Sequence, residues 1–212
     1  MVEQLELEIA GEPVILLADR ALYWPAQRRL VIADLHLGKG SIMRRGGIPV
    51  PGGGTAADLQ RLTALLAGTG AHSLWVLGDF LHGPHAARSD AQWQQFRAEH
   101  AAIAITVVPG NHDRHFDAVR AQVTLASEGH RDGPFVFRHA PAAGPDTVAH
   151  VICGHLHPVV KLPGMGAHPV FWRRPSMTVL PAFSLFSGGL RIAPADGRGS
   201  VLCNGRELAV IG

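Results

Sequence analysis

Cysteine is scarce in this chain of 212 residues, with only Cys153 and Cys203. Two are too few for a disulfide framework or a thiolate metal site. Lysine is equally scarce: of 19 cationic side chains, all but Lys39 and Lys161 are arginine. Arginine favours bidentate recognition of phosphate and carboxylate, although a GC-rich genome produces the same bias. With 17 acidic residues the formal net charge is only +2, so no global basic field points to a polyanionic partner. No apolar run reaches the length of a membrane span. The opening MVEQLELEIAGEP is acidic and lacks the apolar stretch of a signal peptide. Internal repeats, low-complexity tracts and linkers are missing too. Charged residues make up 17% against 47% hydrophobic, which excludes disorder and promises a core. The length fits one domain over 1–212. A soluble, cytoplasmic, single-domain protein is expected.

Histidine, by contrast, is plentiful, with 13 residues, and its placement carries the argument. Gln4–Ala10 and Val14–Ala18 read as a hairpin around Gly11-Glu12-Pro13. Arg29–Ala33, Ser73–Leu77 and Ile103–Val108 are short continuous apolar runs of the buried-strand type. A glycine- and proline-rich loop over Gly38–Gly54 separates the first from a helix that Thr55 would cap and that would end near Gly68 and Gly70. Ser89 or Asp90 would cap a second helix reaching about Ala101. Beyond Asp113 the pattern becomes a series of short strands: Val123–Leu125, Phe135–Arg138, Thr147–Cys153, Val159–Leu162, Val170–Arg173, Met177–Leu180, Val201–Leu202 and Leu208–Ile211. A β-α-β-α-β front half and a mostly β back half predict an α/β fold of two packed mixed β-sheets flanked by helices.

Each buried strand ends in polar residues: Asp34-Leu35-His36, Gly78-Asp79 and Gly110-Asn111-His112-Asp113. His139 follows a fourth strand and Gly154-His155-Leu156-His157 a fifth. Ligands of open α/β sheets bind at the carboxyl ends of strands, so the clusters should converge. Residues i and i+2 of an extended segment project to one side, which would pair Asp34 with His36 and His155 with His157. Taken singly, each cluster has an ordinary reading as a turn, a cap or a surface loop. Together they supply carboxylates, an amide oxygen, imidazoles and no thiolate, a set suited to a two-metal site of intermediate hardness.

In that order, as ADLHLGKG, LGDF, PGNHDRH, FRHAP and CGHLHP, the motifs resemble those of the calcineurin-like metallophosphoesterases. RRGGIPVPGGGT, GDFLHG and LPAFSLFSGG further resemble the bacterial DNA-ligase-associated branch, also described as ligase-associated DNA damage response endonucleases. Ser184 stands where that branch would have glycine. The resemblance implies an αββα sandwich and two divalent cations, Mn²⁺ foremost, with iron, zinc and cobalt compatible. It assigns Asp34, His36 and His157 to one metal, and Asn111, His139 and His155 to the other. Asp79 would bridge them, and a hydroxide held between the metals would attack the phosphodiester in line. His112 would then protonate the leaving oxygen, with Asp113 holding its ring. The implied substrate is DNA, cut endonucleolytically in repair beside an ATP-dependent DNA ligase and other repair enzymes. Candidate substrate contacts are Arg44, Arg45, His82, Arg173 and Arg174, with His85 and His115 as further ligand neighbours that could touch substrate. A small-nucleotide phosphodiesterase or phosphatase is the alternative, then a non-catalytic interaction protein on the same fold. A homo-oligomer is left open.

Overall fold

The computed structural model describes residues 3–83, 87–113, 116–141, 149–162, 164 and 166–212. Its strands are β1 (Gln4–Ile9), β2 (Glu12–Leu17), β3 (Ala21–Trp24), β4 (Arg29–Ala33), β5 (Ser73–Leu77), β6 (Ala104–Val108), β7 (Thr124–Leu125), β8 (His130–Asp132), β9 (Phe135–Phe137), β10 (His150–Cys153), β11 (Val159–Lys161), β12 (Ala167–Arg174), β13 (Met177–Val179), β14 (Val201–Cys203) and β15 (Leu208–Val210). The helices are α1 (Lys39–Arg45), α2 (Gly54–Thr69), α3 (Ala87–Glu99) and α4 (Ala118–Ala121). One sheet runs in the order β1-β2-β3-β4-β5-β6-β7, and the other β15-β14-β12-β13-β10-β9-β8, with β11 paired to β12. Both are mixed, as expected. In the first sheet β4 to β7 are parallel and β1 to β4 antiparallel. In the second, β9, β10 and β13 form the parallel centre. Among the described residues no helix is long and apolar enough to cross a membrane.

The continuous apolar runs of β4, β5 and β6 arise because both faces of these strands are covered. Leu30, Ile32, Leu74, Val76, Ile105 and Val107 pack under α2 and α3 against Leu59, Leu62, Leu66, Trp93 and Phe96. The alternate residues Val31, Ala33, Trp75, Leu77 and Val108 face the other sheet, meeting Phe135, Phe137, Ile152, Phe171 and Leu180. Successive side chains of a strand point to opposite faces, so a strand between two layers needs apolar residues throughout.

Four local expectations change. α3 is already helical at Ala87, so Ser89 and Asp90 lie inside it and do not cap it. The hairpin turns at Ala10-Gly11, both at positive φ, in the two-residue geometry that matches strand twist. This lets β2 begin at Glu12. Gly38–Gly54 is not a continuous loop: α1 forms within it, and buried Gly40 gives Phe186 room to approach. Thr55 does not cap α2, whose N-cap is Gly53; its hydroxyl instead accepts from the Gly38 N–H at 3.2 Å.

Arg61 ties α2 to the rest of the molecule. Its guanidinium donates to Asp58 Oδ1 (2.9 Å), the Phe183 carbonyl (3.0 Å) and the Asp19 carbonyl (2.9 Å), and lies 4.3 Å from the Phe183 ring centre. Burial pushes the Asp58 carboxyl up to about 6, although Arg61 pulls the other way. Arg61→Met therefore leaves a buried carboxylate without its cation and should cost on the order of 3 kcal/mol. A carboxyl whose folded pKa lies above its unfolded value favours folding at low pH and loses that contribution as pH rises through the folded pKa. The cost should thus be smaller at pH 5 than at pH 8, as read from urea midpoints. Equal midpoints for variant and parent at pH 8 would refute the role given to Arg61.

Candidate metal centre

The candidate ligands stand at the carboxyl ends of β4, β5, β6, β9 and β10, and backbone geometry turns them toward one another. Among the described non-glycine residues nine have positive φ, and five of these are Asp34, His36, Asp79, His155 and His157. Left-handed backbone is costly for a side-chain-bearing residue and concentrates at functional sites. The pairing expected from extended i, i+2 geometry therefore arises differently, through left-handed turns that redirect each side chain. Neighbouring loops hold these turns: His36 N–H donates to the Asp79 carbonyl (2.8 Å), Leu37 N–H to that of Phe80 (2.9 Å), and His82 N–H to that of Leu37 (3.1 Å). Two glycines make room. A Cβ on Gly78, at φ +75°, would overlap the His139 ring, and one on Gly110 would overlap the Asp79 backbone nitrogen and carboxylate.

Two donor groups result. Asp34, His36 and His157 form one, Asp79, His139 and His155 the other, and within each the donor atoms lie within 4.8 Å of one another. Asn111 joins the second, its Oδ1 3.0 Å from His139 Nε2, which is also 3.0 Å from His155 Nδ1. Asp79 lies between the groups: Oδ2 is 3.9 Å from His36 Nε2, and Oδ1 is 3.7 Å from His139 Nε2. Divalent cations fit this arrangement. Asp34 is 0% exposed, and its Oδ1 is buried without a hydrogen-bond partner. His36 Nε2 and His157 Nε2 face each other at 3.4 Å, a distance at which two imidazole lone pairs need a proton or a shared cation between them. Burial lowers the His36 ring pKa far below its usual range, and Lys39 acts in the same direction; the ring is thus kept neutral, as ligation requires. His157 Nδ1 donates to the Gly188 carbonyl at 2.9 Å, which turns Nε2 inward. Both cysteines are buried, and burial raises the Cys203 thiol to about 12 and Cys153 higher, so neither supplies a thiolate.

His112 belongs to neither donor group. Its backbone N–H donates to Asp79 Oδ1 (3.0 Å) and its ring nitrogen Nε2 lies 3.9 Å from Asp79 Oδ2, with the side chain 41% exposed. His82 stacks on it at 4.9 Å and places Nδ1 3.2 Å from His36 Nδ1. Burial lowers the His82 ring pKa to about 4, with Lys39 the next contributor. His85 and His115 lie outside the described residues.

Two expectations are corrected. Asp113 does not hold the His112 ring; its carboxylate accepts from the backbone N–H groups of Phe80 (3.1 Å), Leu81 (3.0 Å) and Gly110 (2.9 Å), tying the loop after β6 to the loop after β5. Arg173 and Arg174 do not border the site. Arg174 is level with Met177, and Met177 with Val151, so the pair lies toward the end of β10 away from His155. There Arg173 donates to the Gly199 carbonyl (3.0 Å) and Arg174 covers Trp172. Arg44 and Arg45 are exposed at the end of α1, where Arg44 donates to the Pro51 carbonyl (2.8 Å) and Ser41 Oγ (3.2 Å). Sequence reasoning passed over Glu128, whose Oε2 accepts from the His139 N–H at 2.9 Å, since no motif marks a lone glutamate eleven residues upstream. Ser184 abuts the site through its backbone, donating to the Asp34 carbonyl at 3.3 Å.

Gly78→Ala introduces both left-handed strain and overlap with His139. It should cost on the order of 2 kcal/mol and at least tenfold in Mn²⁺ affinity at the His139 group. Thermal melts and metal analysis after equilibrium dialysis measure both; an unchanged melt with unchanged metal content would refute this packing.

A family model described as calcineurin-like phosphoesterase matches residues 28–176. Pseudomonas putida nuclease MPE is similar over 97% of this chain and 98% of its own, at 32% sequence identity and a TM-score of 0.84. Yfce, a phosphoesterase from E. coli, is similar over 86% of this chain and 91% of its own, at 18% identity and a TM-score of 0.48. No curated protein matches the chain. The family match spans every ligand motif and well over half the chain, so the protein belongs to the calcineurin-like phosphoesterases.

Proposed function

We propose that the protein is a binuclear-metal phosphodiesterase acting on DNA, a Mn²⁺-dependent endonuclease that works in the cytoplasm in repair beside an ATP-dependent DNA ligase. The observation that carries the chemistry is the position of Asp79 between two groups of donors. In this reading Asp34, His36 and His157 would hold one cation and Asn111, His139 and His155 the other, with the Asp79 carboxylate available to both. Two divalent cations supply activation of water near neutral pH and positive charge against the phosphate oxygens. The residues around them orient and protonate. Asp79 fixes His112 through the backbone N–H, and His82 supports the ring by stacking. His112, on the exposed side of Asp79, delivers a proton to the departing oxygen. DNA as substrate is supported by the similarity to a nuclease along nearly the whole of both chains. It also fits the exposed Arg44 and Arg45 on α1, which begins three residues after His36.

Chelator-stripped protein should regain nicking of plasmid DNA with Mn²⁺ better than with Mg²⁺, because imidazoles suit a borderline ion while Mg²⁺ prefers oxygen. A cyclic dinucleotide serves as the competing substrate, and its faster cleavage would favour the small-nucleotide reading. Asp79→Asn should abolish turnover; full activity in excess EDTA would sink the binuclear assignment.

His112→Ala should retain both metals while slowing DNA cleavage by roughly 10²–10⁴-fold, the usual range for a general acid. The loss should be smaller with bis-nitrophenyl phosphate, whose leaving group departs without a proton. Loss of a cation in this variant, measured by metal analysis, would show His112 to be a ligand.

A further inference from the structure

Lys39 opens α1 three residues after His36, and its backbone N–H donates to the His36 carbonyl at 3.0 Å. Its ammonium donates to Ser187 Oγ at 2.9 Å. The next residue, Gly188, holds the His157 ring through its carbonyl. The lysine head is thereby fixed between the first and last ligand motifs. Its surroundings suit a cation poorly. The side chain is half-buried, and among the described residues no carboxylate lies within 4.0 Å of Nζ. One hydroxyl occupies one of its three donors and leaves the others open to a ligand or to water. Asp34, Asp79, His36 and His82 all feel its charge, so the ammonium shares the field of the two donor groups. Divalent cations in those groups would add repulsion that the two carboxylates only partly offset. A bound phosphate removes the conflict, supplying an anionic oxygen to the free donors and negative charge among three cations. A lysine suits this task in a chain whose cations, Lys161 apart, are otherwise arginines, because a compact ammonium with rotatable donors fits where a planar fork does not.

We propose that Lys39, held by Ser187, binds a non-bridging oxygen of the scissile phosphate and so forms part of the substrate site. This rests on the phosphodiesterase reading above. Ser187 is a positioning residue in it, acting only through Lys39.

The test uses full-length metal-loaded protein and two readouts: inorganic phosphate binding by calorimetry, and steady-state hydrolysis of bis-nitrophenyl phosphate. Lys39→Met and Lys39→Gln should weaken phosphate binding and lower kcat/KM by roughly tenfold to a hundredfold, the range for losing a charged hydrogen bond. Melting temperature and metal content should be unchanged. Lys39→Arg should recover part of the phosphate affinity by restoring charge. Ser187→Ala should lose only severalfold, mainly in KM, and Ser187→Thr should restore it. The proposal is overturned if both neutral variants bind phosphate and turn over like the parent, or if they lose metal, which would make Lys39 a structural wall. Phosphate binding is read without turnover. A parent protein inactive on every diester would therefore defeat the phosphodiesterase reading while the comparison of Lys39 variants still decides this one.

Discussion

A carboxylate with no exposure to solvent is the constraint on which the site depends. Asp34 accepts the His155 N–H with one oxygen at 2.9 Å, and its other oxygen is buried without a hydrogen-bond partner. Burying an ion in this way costs several kcal/mol unless charge and hydrogen bonds compensate. Nothing on β4 itself supplies that compensation. The hydrogen bond comes from a residue more than a hundred positions later, the His155 amide, while the other oxygen stands 3.5 Å from the His157 ring nitrogen, with which it could share a cation. The two sheets must therefore meet at their carboxyl edges for this one side chain to be tolerated.

The meeting is arranged by the segment that follows β13. Leu180 donates to the Cys153 carbonyl (2.7 Å) and Phe183 to that of Ala33 (2.8 Å), so the chain steps from the end of β10 to the end of β4. Arg20 fastens it by donating to the carbonyls of Ala182 (3.3 Å) and Ser184 (3.2 Å). A few residues on, Phe186 packs against Gly40 and Gly54, and Gly188 orients His157. One stretch of backbone thus sets the spacing of the sheets, a ligand ring and the wall formed by α1. LPAFSLFSGG carries no candidate ligand, yet this is the part of the late chain that holds the candidate ligands in place.

What could be read from the sequence was what burial and local spacing dictate. Strands covered on both faces have little alternative to continuous apolar runs, so β4, β5 and β6 stood out, and the polar clusters after them marked the site. The assignment of each candidate ligand came from the resemblance that those motifs carry in order. What escaped depended on distant partners. α1 forms among glycines because Phe186 fills the space beside Gly40, a contact 146 residues away. Arg173 and Arg174 were misplaced because sequence does not reveal that β12 runs antiparallel to β13, which carries its last residues away from the site. Asp113 was misread because adjacency to His112 suggested contact, whereas the turn points its carboxylate back at the loop after β5. Strand β3, four residues long, is too short to announce a period.

The left-handed backbone at Asp34, His36, Asp79, His155 and His157 has an evolutionary consequence. Each such residue carries a conformational cost of roughly 1–2 kcal/mol that glycine would not, and asparagine tolerates it better than most. Replacing a ligand by glycine would relax the backbone at the moment it removed the chemistry. Natural selection for activity therefore works against folding stability at five separate positions in this chain. Engineered replacements at these positions could yield a firmer, inert version of the same sandwich.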